Sequence, residues 1–186
     1  MENTRTKTTR NSLILLLTAA IWGMAFVSQS KGMDYMHPFT FNGVRSLIGA
    51  ASILVYILIS RKIAGDKAAP LDWKLNVKAG LLCGIFLTIA STLQQFGIKY
   101  TSVGKAGFIT TLYIIFVPMF GIFLKKKVAP VVWAAAVMAA VGMYLLCMTE
   151  SLRLGAGDIM VFLCAIAFAI QIMTVDHYAT RIDGAV

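Results

Sequence analysis

The chain has 186 residues, of which 59% are apolar and only 13% charged, and its formal net charge is +9. A soluble domain carries about 25% charged residues, so this chain has too little charge to coat a soluble globule, and disorder, which needs low hydrophobicity, is excluded as well. Cys83, Cys147 and Cys164 lie far apart in apolar runs and fit neither a disulfide framework nor a zinc cluster.

A hydrocarbon core about 30 Å thick needs ~20 apolar residues per helix. Six runs meet or approach that length: 12–30, 38–60, 79–98, 106–124, 128–148 and a short one at 159–175. Each is bounded by charge or turn residues, such as Lys31-Gly32, Arg61-Lys62 and Lys125-Lys126-Lys127. The pattern predicts an all-α polytopic membrane protein with six transmembrane helices.

The first span follows Arg5, Lys7 and Arg10. It is longer than the 7–15-residue core of a signal peptide and lacks a clear small-residue cleavage site, so it is expected to stay uncleaved. Trp22 sits mid-span, either lining a cavity or packed.

The second span carries Arg45. Polar groups inside a membrane are costly and mark function by default. Arg45 either binds a substrate anion or gates a wet cavity, or it serves the structure by pairing with backbone carbonyls, Asp34 or Asp158. Asn42, Arg45, Gly49 and Ser52 recur on one helical face.

The third span shows a second polar stripe, Thr88, Ser91, Thr92 and Gln95, with Gln94 beside it. Serine and threonine are expected to bond their own helix backbone. Gln94 and Gln95 can donate and accept, and so orient a polar substrate or bridge helices. Gly80 and Gly84 form a GxxxG, and Ala19 and Gly23 a similar small pair, both read as packing within the chain.

The fourth span offers Thr110, Thr111 and Tyr113, then Pro118, which lacks a backbone donor and is expected to kink the helix. The fifth is apolar except for Tyr144, which predicts a peripheral helix and a candidate homodimer contact. The sixth carries Gln171 in its second half.

Lys and Arg in short loops set orientation. Twelve of the 17 fall on one side, including Arg10, Arg61, Lys62, Lys74, Lys78 and Lys125; Lys31, Lys99, Lys105 and Arg153 fall on the other, and Arg45 lies within a span. Both ends are therefore expected in the cytoplasm. The excess charge is topological, and nucleic acid is not an expected partner.

Enzyme chemistry finds no support in this inventory. Neither His37 nor His177 is mid-span, no His/carboxylate pair has metal-ligand spacing, and Gly155-Ala156-Gly157 lacks a third glycine and a preceding strand. No catalytic residue, cofactor or metal is expected.

Residues 20–25 can be laid on residues 165–170 with two identities in six. With five helices per copy, a second copy starting at the sixth span would be inverted, a common plan for secondary transporters. The expected organisation is a cytoplasmic tail at 1–11, a five-helix repeat at 12–148, and the start of an inverted second repeat at 149–186. At the same offset a seventh helix would begin near 183, so the chain reads as a fragment of a ten-helix protein or as a complete six-helix one.

Four segments carry a family resemblance: residues 20–27 around Trp22-Gly23, residues 38–45 ending in Arg45, residues 94–118 including Tyr100-Thr101-Ser102-Val103-Gly104-Lys105, and Gly157-Asp158. In their order and spacing the chain resembles the drug/metabolite transporter superfamily, in its EamA-like branch. The resemblance implies a carrier of five plus five inverted helices in the cytoplasmic membrane. It would import or export a small polar metabolite by alternating access, with a proton or sodium as coupling ion. The candidate substrate-binding residues are Trp22, Asn42, Arg45, Gln94, Gln95, Thr110, Tyr113 and Gln171, with Pro118 as hinge or kink. The rival expectation is a non-transporting interaction or scaffold protein, or an inactive fragment.

Overall fold

A computed structural model describes residues 4–64, 72–125, 128–147 and 155–179. The described residues form α1 (Thr4–Gly32), α2 (Pro38–Ala64), α3 (Trp73–Tyr100), α4 (Val103–Thr111), α5 (Tyr113–Phe123), α6 (Pro130–Cys147) and α7 (Ala156–Ala179). The all-helical architecture agrees with the sequence. Five spans are long and apolar enough to cross a bilayer, with α4 and α5 together making one of them, and α6 is the shorter sixth apolar helix. The predicted seventh helix start near 183 and the Lys126-Lys127 pair lie outside the described residues.

The helix ends have local causes. Pro38 and Pro130 open α2 and α6, where a missing N–H costs nothing and φ is already set. Asp72 caps α3 by accepting from the Leu75 N–H at 3.1 Å, and Ser102 caps α4 by accepting from the Lys105 N–H at 3.2 Å. Arg61 and Lys62 close α2 where the helix dipole is negative.

Two expectations are refined. The short sixth run spans with its flanks, as it must: α7 gains about a turn at its start and one at its end, which carries Asp158 into the helix. The fourth run is interrupted at Leu112, whose N–H bonds to the Ile109 carbonyl at 3.2 Å, and Pro118 lies buried inside α5, six residues beyond the break.

At the centre stands α7, packed most extensively on α3 and also on α4 and α5. One core cluster joins Ala90, Cys164, Ala167 and Phe168; the other joins Ile98, Ala106, Ile109 and Val161. Small residues let these helices approach closely. The tightest approach is at Gly97 and Gly157, where a Cβ on Gly157 would lie 2.7 Å from the Tyr100 carbonyl carbon and 2.8 Å from the Gly97 oxygen. The expected packing at Gly80, Gly84 and Gly23 is not found: a Cβ at each meets open space. GxxxG spacing supplies a groove but not the helix that fills it.

On the outside, α6 packs chiefly against α4 and α5, in keeping with a peripheral helix. The outer faces of α1 and α2 are apolar and exposed, with Leu15 and Leu47 as examples. In water such a surface would be untenable; in a bilayer it is the face that lipid or further helices cover.

Candidate functional site

Between the central pair and the first two helices lies a cavity of about 320 Å³. Its wall comes from five helices: Trp22, Ala25, Phe26 and Gln29 of α1, Arg45 of α2, Leu87, Ser91 and Gln94 of α3, Tyr113 of α5, and Phe168, Gln171 and Ile172 of α7. Helical periodicity explains the assembly. Residues 22, 25, 26 and 29 are one face of α1, residues 87, 91 and 94 one face of α3, and residues 168, 171 and 172 one face of α7. Gln29, Gln94 and Phe168 are buried and form the floor, whereas Trp22, Arg45 and Leu87 stay exposed at an open margin.

The structure brings Trp22, Arg45, Gln94, Tyr113 and Gln171 to this one wall. Two more candidates stand just behind it. Asn42 accepts from Arg45 Nη2 at 3.0 Å and donates through Nδ2 to the Ser91 carbonyl at 3.1 Å, so it orients the guanidinium and ties α2 to α3. Thr110, buried, accepts from Gln94 Nε2 at 3.3 Å. Arg45 also lies over the Phe41 ring, 5.9 Å from its centroid. Neither Asp34 nor Asp158 takes it, and Asp158 is engaged by Lys105 at 2.9 Å.

Two candidates lie elsewhere. Gln95 is fully buried outside the wall, with its Nε2 3.5 Å from the Gln29 carbonyl oxygen. Pro118 lies in α5 beyond Tyr113 and takes no part in the lining. The serine and threonine hydroxyls behave as their chemistry suggests: Ser52 bonds the Ile48 carbonyl and Thr111 the Gly107 carbonyl, each at 2.8 Å.

Gln29 was not among the candidates, although it lies seven residues after Trp22 on the same face. It is 4% exposed, and its Oε1 has no hydrogen-bond partner. Phe168 was missed because one aromatic in an apolar run carries no polar signal; its ring lies 6.5 Å from those of Trp22 and Tyr113.

The wall is chemically lopsided. Among the described residues it holds one cation, Arg45, three carboxamides, the Ser91 hydroxyl and a phenol, but no carboxylate. An anionic oxygen can pair with the guanidinium, and hydroxyl or amide groups can use the glutamines. A cation would meet Arg45 with no counter-charge.

The fold and cavity define a multi-pass membrane protein with a chamber among its helices, walled by apolar side chains and a few polar ones. Residues 10–148 match the EamA-like transporter family, and the chain belongs to that family. It is 31% identical over 171 residues to a protein from Archaeoglobus fulgidus described as an uncharacterized transporter, an alignment covering 89% of this chain and 48% of the relative. The chain thus spans about half the length of the curated relative it matches. No solved structure matches it.

Proposed function

We propose that the chamber is the substrate site of a secondary transporter that moves a small, polar, neutral or anionic metabolite across the cytoplasmic membrane by alternating access. The observation that carries this is the convergence of Trp22, Arg45, Gln94, Tyr113 and Gln171, from five helices, on one cavity of about 320 Å³. Arg45 and Gln94 each bond one neighbour, Asn42 and Thr110, and still contribute to the lining.

The open margin bears on completeness. Arg45 lies seven residues into α2, roughly 10 Å from its start at 1.5 Å per residue, and it is exposed there. A guanidinium at that depth does not face hydrocarbon without a large cost. The transporting unit therefore needs a further wall opposite Arg45, and the relative, about twice as long as this chain, has the length to supply one.

The test is exchange of labelled metabolites in proteoliposomes. It compares this chain alone with this chain joined to the portion of the Archaeoglobus fulgidus relative that it does not cover. Saturable exchange of neutral or anionic solutes by the joined protein, and none by the chain alone, is expected. Saturable exchange by the 186-residue chain alone would show that no further wall is needed. Exchange restricted to cationic solutes would refute the substrate class.

A further inference from the structure

The chamber wall divides into two contiguous patches of different chemistry. The first is polar. The Arg45 guanidinium donates to Asn42, Asn42 donates to the Ser91 carbonyl, and Gln94 follows one turn after Ser91 on α3. Arg45, Ser91 and Gln94 thus form one stretch of wall where α2 packs on α3.

The second patch is aromatic. Phe168 of α7 stands at its centre, and the rings of Trp22 on α1 and Tyr113 on α5 lie 6.5 Å from it at interplanar angles of 46° and 59°. Such tilted geometry is a favoured one for aromatic pairs. Packing fixes the arrangement: Phe168 belongs to the core cluster of Ala90, Cys164 and Ala167, and Tyr113 packs against that cluster. Phe26 and Ile172, one turn from Trp22 and Phe168, extend the apolar surface, and Gln171 adds one carboxamide beside it.

We infer that the chamber takes a monocarboxylate bearing an aromatic ring, with the carboxylate on Arg45 and Gln94 and the ring against Trp22, Tyr113 and Phe168. The inference rests on the chamber being the substrate site and narrows the class proposed for it. The head follows from charge. Among the described residues the wall holds a single cation, which neutralises one negative charge; a doubly charged phosphate would keep one charge unpaired. The guanidinium gives Asn42 one of its five donors and has others for a carboxylate. The body follows from the rings. A wholly polar solute would set hydroxyls against Phe26, Phe168 and Ile172, which offer them no partner. An aromatic body covers that surface and gains ring contacts. The volume of about 320 Å³ lies at the small end of the range of about 300–1,000 Å³ for small-molecule sites, which suits a single-ring acid.

The experiment reads binding and not transport, so its outcome is separable from that of metabolite exchange. Labelled phenylacetate is titrated onto the 186-residue chain in lipid nanodiscs, with uptake by empty nanodiscs subtracted. Unlabelled acetate, which has the head without the ring, and benzyl alcohol, which has the ring without the charge, serve as competitors. Phenylacetate should bind saturably, and each competitor should be weaker by about tenfold or more. Phe168→Leu should weaken phenylacetate by roughly two- to tenfold, the range of an aromatic pair. Trp22→Leu, at a half-exposed position outside the core, should do the same without disturbing the fold. Arg45→Gln should erase the advantage of phenylacetate over benzyl alcohol. Displacement by acetate as effective as that by unlabelled phenylacetate would overturn the ring assignment while leaving the chamber an anion site. Unchanged affinity in both Phe168→Leu and Trp22→Leu would overturn it as well. An absence of saturable phenylacetate binding would also overturn the inference, and exchange by the joined protein then decides the broader reading on its own.

Discussion

Arg45 and Asn42 lie one helical turn apart on α2, and the guanidinium Nη2 donates to the carboxamide oxygen at 3.0 Å while the same carboxamide donates across to the Ser91 carbonyl of α3. Asn42 thus holds a cation at the chamber margin without neutralising it. Asparagine suits this position because its oxygen accepts and its nitrogen donates.

Asn42→Asp keeps the size and the acceptor but places a carboxylate against Arg45. The protein should still insert and fold, and binding of an anionic solute should fall by about tenfold or more, or ~1.4 kcal/mol, because Arg45 is then internally paired. Asn42→Ala should instead loosen the docking of α2 on α3, lowering stability by roughly 1 kcal/mol as polar contacts between membrane helices do. Unfolding in detergent together with solute titration separates the two effects.

The glycines provide a contrast within one protein. At Gly157 a methyl group meets the backbone of Tyr100 and Gly97, which cannot yield as a flexible side chain could. Gly157→Ala should cost about 1–3 kcal/mol, the range for forced overpacking. At Gly80 and Gly84 nothing lies within 4 Å of an added Cβ. Alanine at either should be neutral or gain up to ~1 kcal/mol from helix propensity. Equal losses at Gly80 and Gly157 in an unfolding titration would contradict the observed helix crossing.

Topology is open to reporter fusions. The distribution of Lys and Arg predicts that fusions at positions 66, 126 and 186 report from the cytoplasm and those at 34 and 153 from outside. An external signal from position 126, beside Lys125, would invert the scheme.

The spans were legible because a bilayer imposes a length that composition alone reveals. The chamber was partly legible, since isolated polar residues in apolar runs stand out. Rotation was harder to read. Gln94 and Gln95 are neighbours in sequence, yet about 100° apart around a helix, and only packing decides that Gln94 faces the chamber and Gln95 the α1 backbone. Of the stripe Thr88, Ser91, Thr92 and Gln95, only Ser91 reaches the observed wall, whose other α3 residues are Leu87 and Gln94. Asp158 escaped notice as a buried group because Gly155-Ala156-Gly157 reads as loop. Its burial comes from Lys105 and Thr101, more than fifty residues earlier, and no local pattern encodes that meeting.

Arg45 and its neighbours are proposed as a substrate site selective against cations. Affinity selection from a cell metabolite extract, using the 186-residue protein in lipid nanodiscs and mass spectrometry of what it retains, tests this directly. Wild type should retain small neutral or anionic polar molecules. Arg45→Gln should lose the anionic ones, and Arg45→Lys, which keeps the charge without the planar fork, should retain part of them. Retention of cationic molecules, or the same retained set in wild type and Arg45→Gln, would show that Arg45 does not select the substrate.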